Sequence, residues 1–467
     1  MISAPASQIT WAGTQPWSSG KVGLNGISYY AIKAWQVAAR RPPHLAAVCV
    51  WEGVSDLYRE WAFHGGIWNG FNDTWYPNRL VPRQHGSGVH LRSRVTGERV
   101  TGPEVLQDEQ LAANHVDYRT AMLAHPLVDD YWDAMNPDLA RIEVPLLSAG
   151  NWGGAGLHLR GNVEGFLGAG SAQKWLELHG LEHWSHFYSD YGVGLQKQFF
   201  AHFLRGEANG WTERPAIMAQ VRTVDGRFVE RTGDAWPLPE TRWVPFTLCL
   251  GDLSLHQDAP TPEGPLTTSY DAMSDGVTFL TPPLTEQLTI VGPLALKLFL
   301  SSDTDDADVF VVVRAFTPDL AEVTFQGANA PHAPVALGWL RASHRDLDPV
   351  RSTPYRPLHT HRHEALLTPH DVYQLDIEIW PTSIVVPAGF RLGLSVRGRD
   401  YVWPGATASA VAVQGLSATA NAQLSGVGPF RHVHPRNRPA HRFAGTLTLH
   451  ADAKRVPSLL VPVVPSR

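Results

Sequence analysis

The chain has 467 residues, 43% of them hydrophobic and 18% charged, which are the proportions of a folded globular protein long enough for two or three domains. A net charge of −6 gives no electrostatic case for binding nucleic acid or an anionic membrane. The two cysteines, Cys49 and Cys249, lie in separate apolar runs and read as buried free thiols, with no disulfide framework and no metal-ligand spacing around them. No apolar run approaches the ~20 residues of a membrane span, and a cytoplasmic setting is the expectation.

From the N-terminus, Gln8 to Trp17 reads as the end of a helix closed at Pro16. A short apolar run, Val22 to Leu24, then leads into Asn25-Gly26-Ile27-Ser28, and a helical pattern follows from Tyr29 to Arg40 and stops at Pro42-Pro43. Leu45 to Trp51 is continuously apolar between Pro43 and Gly53, as expected of a strand buried on both faces of a parallel sheet. Residues 55–136 are mixed and aromatic-rich, with a helical stretch near Glu109 to Leu123, and suit an insertion that caps a site. Strand character resumes at Ile142 to Ala149, followed by a helix over Leu157 to Leu167, a strand over Lys174 to His179 and an amphipathic helix over Gly192 to Leu204. This alternation implies an α/β domain with a parallel sheet, built from residues 1–54 and 137–210. From residue 211 to 467, Pro and Gly punctuate short alternating runs such as Leu294 to Leu300, Val309 to Arg314, Leu375 to Ile379 and Leu392 to Val396. They imply an all-β sandwich, with jelly-roll topology expected.

Gly26 and Ser28 stand where a strand must reverse sharply into a helix. A nucleophile elbow uses that turn to lift a hydroxyl clear of the backbone and to leave the next N–H free for an oxyanion. Tyr30 occupies the last position of G-x-S-x-G, so the motif is incomplete, and a serine in an ordinary strand-to-helix turn is the alternative.

Several motifs together resemble the cocaine-esterase-like (CocE/NonD), X-Pro dipeptidyl-peptidase-type α/β-hydrolases. They are Gln15-Pro16-Trp17 with Gly20-Lys21-Val22-Gly23, Gly26-Ile27-Ser28-Tyr29, Arg41-Pro42-Pro43-His44-Leu45, and His125-Pro126-Leu127 with Asp130-Tyr131-Trp132. Further on come Asp306-Ala307-Asp308, Gly338 to Arg345, and Ile379-Trp380-Pro381-Thr382-Ser383. The resemblance implies a hydrolase domain with a helical cap and a C-terminal jelly roll. It makes Ser28 the acyl-accepting nucleophile and the Tyr29 N–H an oxyanion donor. It also places the catalytic histidine within a Trp-x-His pattern that Trp184-Ser185-His186 fits; His186 is the expected base, His183 its rival in the same loop, and His179 a strand-end residue. Family members carry further strands and an oxyanion tyrosine before the elbow, so the chain reads as lacking the N-terminal part of the hydrolase domain. Exposed strand edges would then favour self-association as a homo-oligomer.

The family's acid belongs to a Gly-Trp-x-Asp pattern, and here the place reads Gly150-Asn151-Trp152-Gly153-Gly154. Glu52 directly follows the strand Leu45 to Trp51, one strand over from Ser28 at the C-terminal rim of the sheet, and is the expected replacement. The alternatives are a hinge residue paired with Arg59, Asp56 as acid, or Asn151 orienting the imidazole neutrally. Glu164, on a helix, reads as too deep.

Three other groups invite a function. His359, His361 and His363 alternate, and surface packing against the hydrolase domain is preferred over a metal site. Asp303, Asp305, Asp306 and Asp308 lack the glycine and closing glutamate of a calcium loop and read as a turn. Trp61, Phe63, Trp68, Phe71, Trp75 and Tyr76 either form the cap's own core or line an acyl pocket, and their place just after Glu52 favours a pocket. The expected activity is that of a serine hydrolase acting on a small ester, amide or short peptide through an acyl-enzyme, with no cofactor, metal, nucleic-acid or membrane partner. The alternative is an inactive fragment whose jelly roll serves as a packing module.

Overall fold

The structure is a computed structural model, which describes residues 3–81, 92–99, 106–113, 116–404 and 426–465. A first helix, α1 (Ser3–Thr14), precedes β1 (Val22–Ile27), α2 (Tyr29–Ala38) and β2 (Leu45–Trp51). The hairpin β3 (Phe63–His64) and β4 (Ile67–Trp68) follows, and then short helices that include Asp108–Ala113, Tyr118–Leu123 and Asp130–Met135. Next come β5 (Leu146–Asn151), α3 (Leu159–Gly168), β6 (Lys174–His179), a one-turn helix at Ser185–Tyr188, α4 (Asp190–Arg205), β7 (Ile217–Arg222) and β8 (Phe228–Gly233). The sheet order is β1-β2-β5-β6-β7-β8, parallel from β1 to β7 with β8 antiparallel. Every residue of β5 is buried, and β2 is buried but for Ala46, as the unbroken apolar run required. Helices on both faces of a parallel sheet leave the strand ends as the rim where loops carry chemistry.

The later strands are β9 (Arg242–Cys249), β10 (Ser254–His256), β11 (Leu266–Asp271), β12 (Val277–Leu280), β13 (Leu288–Ser302), β14 (Asp308–Phe316), β15 (Glu322–Val323), β16 (Ala336–Arg341), β17 (Tyr373–Val386), β18 (Arg391–Arg397), β19 (Thr446–Ala451) and β20 (Ser458–Val463). Their order runs β13-β17-β16-β14-β18-β12-β10-β9-β20, and β20 pairs back onto β13, so the sheet closes on itself. Closure pairs the strands of this ring on both sides, while β11, bonded to β19 beside the ring, ends the sheet. Its interior is a single apolar core that includes Leu296, Val311, Ile377 and Leu394.

The two parts are bound through buried polar contacts. Arg160 on α3 donates to Glu60 Oε1 (2.9 Å) and to Glu378 Oε1 of β17 (2.8 Å). Arg222 on β7 donates to Ser383 O (2.9 Å) and Val335 O (2.9 Å). Beside Arg160, a Cβ on Gly161 would lie 2.5 Å from both Glu60 Oε2 and Gly53 O. Gly161→Ala is therefore expected to cost about 1–3 kcal/mol, the usual penalty of overpacking, read as a lower urea midpoint. A midpoint unchanged from the parent would show that the segment around Gly53 gives way freely.

Two expectations are corrected here. His359 and His361 are buried rather than at the surface; only His363, paired with Asp346, is exposed. Trp61, Phe63 and Trp68 are buried and pack with Tyr58 and Trp132, and Tyr76 is buried against Tyr118, so most of the aromatic series is core. Trp75 alone of the series meets Tyr29, at 6.0 Å between ring centres. Asp308 is held by Arg341 and Arg438, and Asp306 by Ser343 and Arg442, so these carboxylates are already neutralised.

Candidate active site

Ser28 sits between β1 and α2 at φ 61°, ψ −120°, a region that costs a residue with a Cβ of order 1–3 kcal/mol and is kept only where neighbours enforce it. The enforcement is visible. The Ser28 N–H points at Trp51 O (3.0 Å) and Glu52 O (3.1 Å), and Ser28 O accepts from Ile32 N to open the helix. A Cβ on Gly26 would fall 2.5 Å from Tyr30 Cβ, so the turn needs glycine there. Tyr29 is the first residue of α2, where N–H groups have no partner within the helix and suit a developing anion.

Glu52 follows β2 at φ 45°, and its N–H donates to Ala149 O at 2.7 Å. Its carboxylate is fully buried. Oε2 accepts from His183 Nδ1 at 2.6 Å, while Oε1 lies 3.5 Å from His179 Nε2 and 3.4 Å from Asn151 Nδ2. Burial alone would raise the pKa of Glu52. The charge of His183 and the hydrogen bonds from both histidines outweigh it and bring the group down to about 2. A carboxylate held ionised in this way fixes a histidine tautomer and stabilises the imidazolium.

The loop between β6 and the helix Ser185–Tyr188 separates the two histidine candidates. Leu181 takes a left-handed φ of 73°, and the His183 N–H donates to Ala328 O at 3.2 Å. That direction brings His183 to Glu52. His186, the expected base, instead turns against Glu177, with Nε2 3.6 Å from Oε1, and packs on Trp51 and His179. Asp56 caps the turn Leu57–Ala62 and pairs with Arg59 at 2.7 Å, so it is Asp56 rather than Glu52 that Arg59 engages. Asn151 donates chiefly to Leu181 O, at 2.8 Å, and supports the loop. Glu164 is paired with Arg356 at 3.1 Å.

One residue in the site had no signal in the sequence. His158, just before α3, puts Nε2 3.2 Å from Ser28 Oγ. Its ring stacks on that of His183, 5.0 Å apart and within 6° of parallel. His158 is buried, with no partner for Nδ1 among the described residues, and burial, with the His183 charge beside it, lowers its pKa to about 3, so it stays neutral. Glu52, His158 and His183 lie close enough together to hold a metal ion.

A parallel sheet with a strained serine between strand and helix, and a histidine–carboxylate pair at the same rim, defines an α/β-hydrolase. Residues 2–188 match the X-Pro dipeptidyl-peptidase S15 family, and residues 209–409 match the X-Pro dipeptidyl-peptidase C-terminal non-catalytic domain. The chain belongs to the X-Pro dipeptidyl-peptidase-type (CocE/NonD) family and is a serine hydrolase. A cocaine esterase of a Rhodococcus species is 22% identical over 476 residues, which is 84% of this chain and 75% of that protein. A CocE/NonD family hydrolase from Staphylococcus aureus superposes with TM-score 0.83 at 29% identity, over 99% of this chain and 75% of its own. An aminopeptidase from a Thaumarchaeota archaeon shares the fold, with TM-score 0.66 at 15% identity, over 98% and 79% of the two chains.

Proposed function

We propose that the protein cleaves a small acyl ester or amide through a covalent intermediate on Ser28, with His183 as base, Glu52 as its orienting acid and the Tyr29 N–H in the oxyanion hole. The observation that carries this reading is the 2.6 Å contact between His183 Nδ1 and the buried Glu52 carboxylate, beside a serine whose N–H meets the backbone of that same Glu52. Ser28 Oγ attacks the carbonyl carbon and gives its proton to His183 Nε2. The C–O or C–N bond then breaks, the proton passes to the departing alcohol or amine, and water releases the acyl group by the same steps. Residues 55–136 are read as the cap over the acyl site, reached through Trp75, and the closed C-terminal sheet as the family's jelly roll.

His158 touches Ser28 directly and so offers a second reading, in which it is the base. Its unpartnered Nδ1 argues against that, because loss of the Nδ1 partner costs about four orders of magnitude where it has been isolated. In the preferred reading His158 holds the resting hydroxyl, which turns to His183 when substrate enters; catalytic contacts commonly tighten only at that stage. A fluorophosphonate probe is expected to label the parent protein and to leave Ser28→Ala and His183→Ala unlabelled, with His158→Ala still labelled. Labelling of Ser28→Ala would overturn the proposal. Labelling that survives His183→Ala and fails in His158→Ala would exchange the two histidines.

A further inference from the structure

Glu177 and His186 stand outside the acyl machinery and His179 meets it only at Glu52, yet the three converge. Glu177 and His179 are two apart on β6 and so leave the same face of the strand, and His186 returns to them from the helix Ser185–Tyr188. All three are more than nine-tenths buried. Among the described residues His179 Nδ1 and His186 Nε2 have no hydrogen-bond partner, a costly state for buried polar atoms. The 3.6 Å between His186 Nε2 and Glu177 Oε1 is too long for a good hydrogen bond. It is close to the ~3.4 Å that two ligands of a tetrahedral ion keep when each bond is ~2.1 Å. One ligand atom from each residue lies within 4.8 Å of the other two.

The surroundings are those of a metal site as well. His179 Nε2 faces Glu52 Oε1 at 3.5 Å, which leaves Nδ1 as the nitrogen available to an ion. The Tyr191 hydroxyl donates to the Glu177 carboxylate, 3.2 Å from each oxygen. Trp51 packs on both imidazole rings. Metal-binding histidines and carboxylates are characteristically held by outer partners of this kind within an apolar shell.

We propose that Glu177, His179 and His186 form a site for a divalent transition-metal ion of the zinc class, with two nitrogens, one carboxylate oxygen and a fourth position for water. Two imidazoles and one carboxylate suit such an ion better than magnesium or calcium, which favour all-oxygen sets. Glu-x-His followed seven residues later by His has the spacing of no common zinc motif, so the site is assembled by the fold. The proposal does not depend on Ser28 being the nucleophile.

The test uses the full chain, stripped with chelator and titrated with Co²⁺. One equivalent is expected to bind with visible d–d absorption and to be displaced by Zn²⁺. His186→Ala and Glu177→Gln should lose that equivalent. Tyr191→Phe, a milder change, should weaken it about 10-fold or more by removing the carboxylate's outer partner. His183→Ala should retain it, which separates this site from the Glu52–His158–His183 group. Absence of stoichiometric binding to the parent, binding that survives His186→Ala, or binding abolished by His183→Ala would each overturn the proposal.

Discussion

Glu52→Gln is expected to lower kcat about 10⁴-fold near pH 7 while leaving KM for a small ester almost unchanged. The amide keeps the volume of the carboxylate but not its charge. It cannot balance an imidazolium on His183, and its NH₂ group, turned to Nδ1, would favour the tautomer that has its proton on Nε2 and cannot accept one from Ser28. In a well-characterised triad the corresponding change costs about 10⁴-fold in kcat. The contact at stake is the 2.6 Å hydrogen bond inside a fully buried pocket, so solvent cannot substitute for it. Asp56→Asn is the control, because Asp56 caps a turn and pairs with Arg59; it should affect stability and not kcat. A fall of less than 10-fold in Glu52→Gln would remove Glu52 from the acid's role.

How much of this was legible differs from residue to residue. The β2 strand lies at Leu45–Trp51 as its apolar run indicates, because a strand buried in a parallel sheet writes its limits in composition, and β6 lies at Lys174–His179 where the α/β alternation put it. Glu52 could be singled out because a helix down and a strand back must return the chain to the edge that carries Ser28. His183 and His186 could not be separated in the same way. They are three residues apart, His183 in the loop after β6 and His186 in the one-turn helix that follows, and the loop's direction is set by the bond from the His183 N–H to Ala328 O, a contact with a distant part of the chain. His158 stands before a helix with no motif around it, and only the packing of α3 brings it to Ser28. The burial of His359 and His361 is likewise tertiary: Arg59 donates to the carbonyls of His359 and Thr360, at 2.7 Å and 3.2 Å, and draws that loop inward.

Those buried histidines set the second large expectation, a steep loss of stability as the pH falls below about 6.5. His64, His158, His344, His359 and His361 are all buried, and burial holds each of them below the ordinary histidine value. For His158, His344 and His359 the value is about 3, and for His64 and His361 it is also well depressed. Neighbouring positive groups add to the effect, His432 beside His64 and Arg59 beside His359 and His361. Two pairs depend on neutrality. His64 Nδ1 meets His432 Nε2 at 3.0 Å, and His344 Nδ1 meets His361 Nδ1 at 3.0 Å; each contact needs one N–H and one lone pair, and protonating both rings breaks it. Because the folded values lie below the unfolded one, the unfolded chain binds more protons between about pH 3 and 6.5. Stability is therefore full above that window and declines as the pH falls through it. Each of His158, His344 and His359 gives up about 2 kcal/mol between pH 7 and pH 5, and His64 and His361 act in the same direction. Together these are a large share of the stability of an ordinary domain, about 5–15 kcal/mol. Urea unfolding measured from pH 7 down to pH 5 should show stability falling with a slope of about 4 kcal/mol per pH unit or more at the acid end. A slope near zero there would mean that these rings already carry protons in the folded protein.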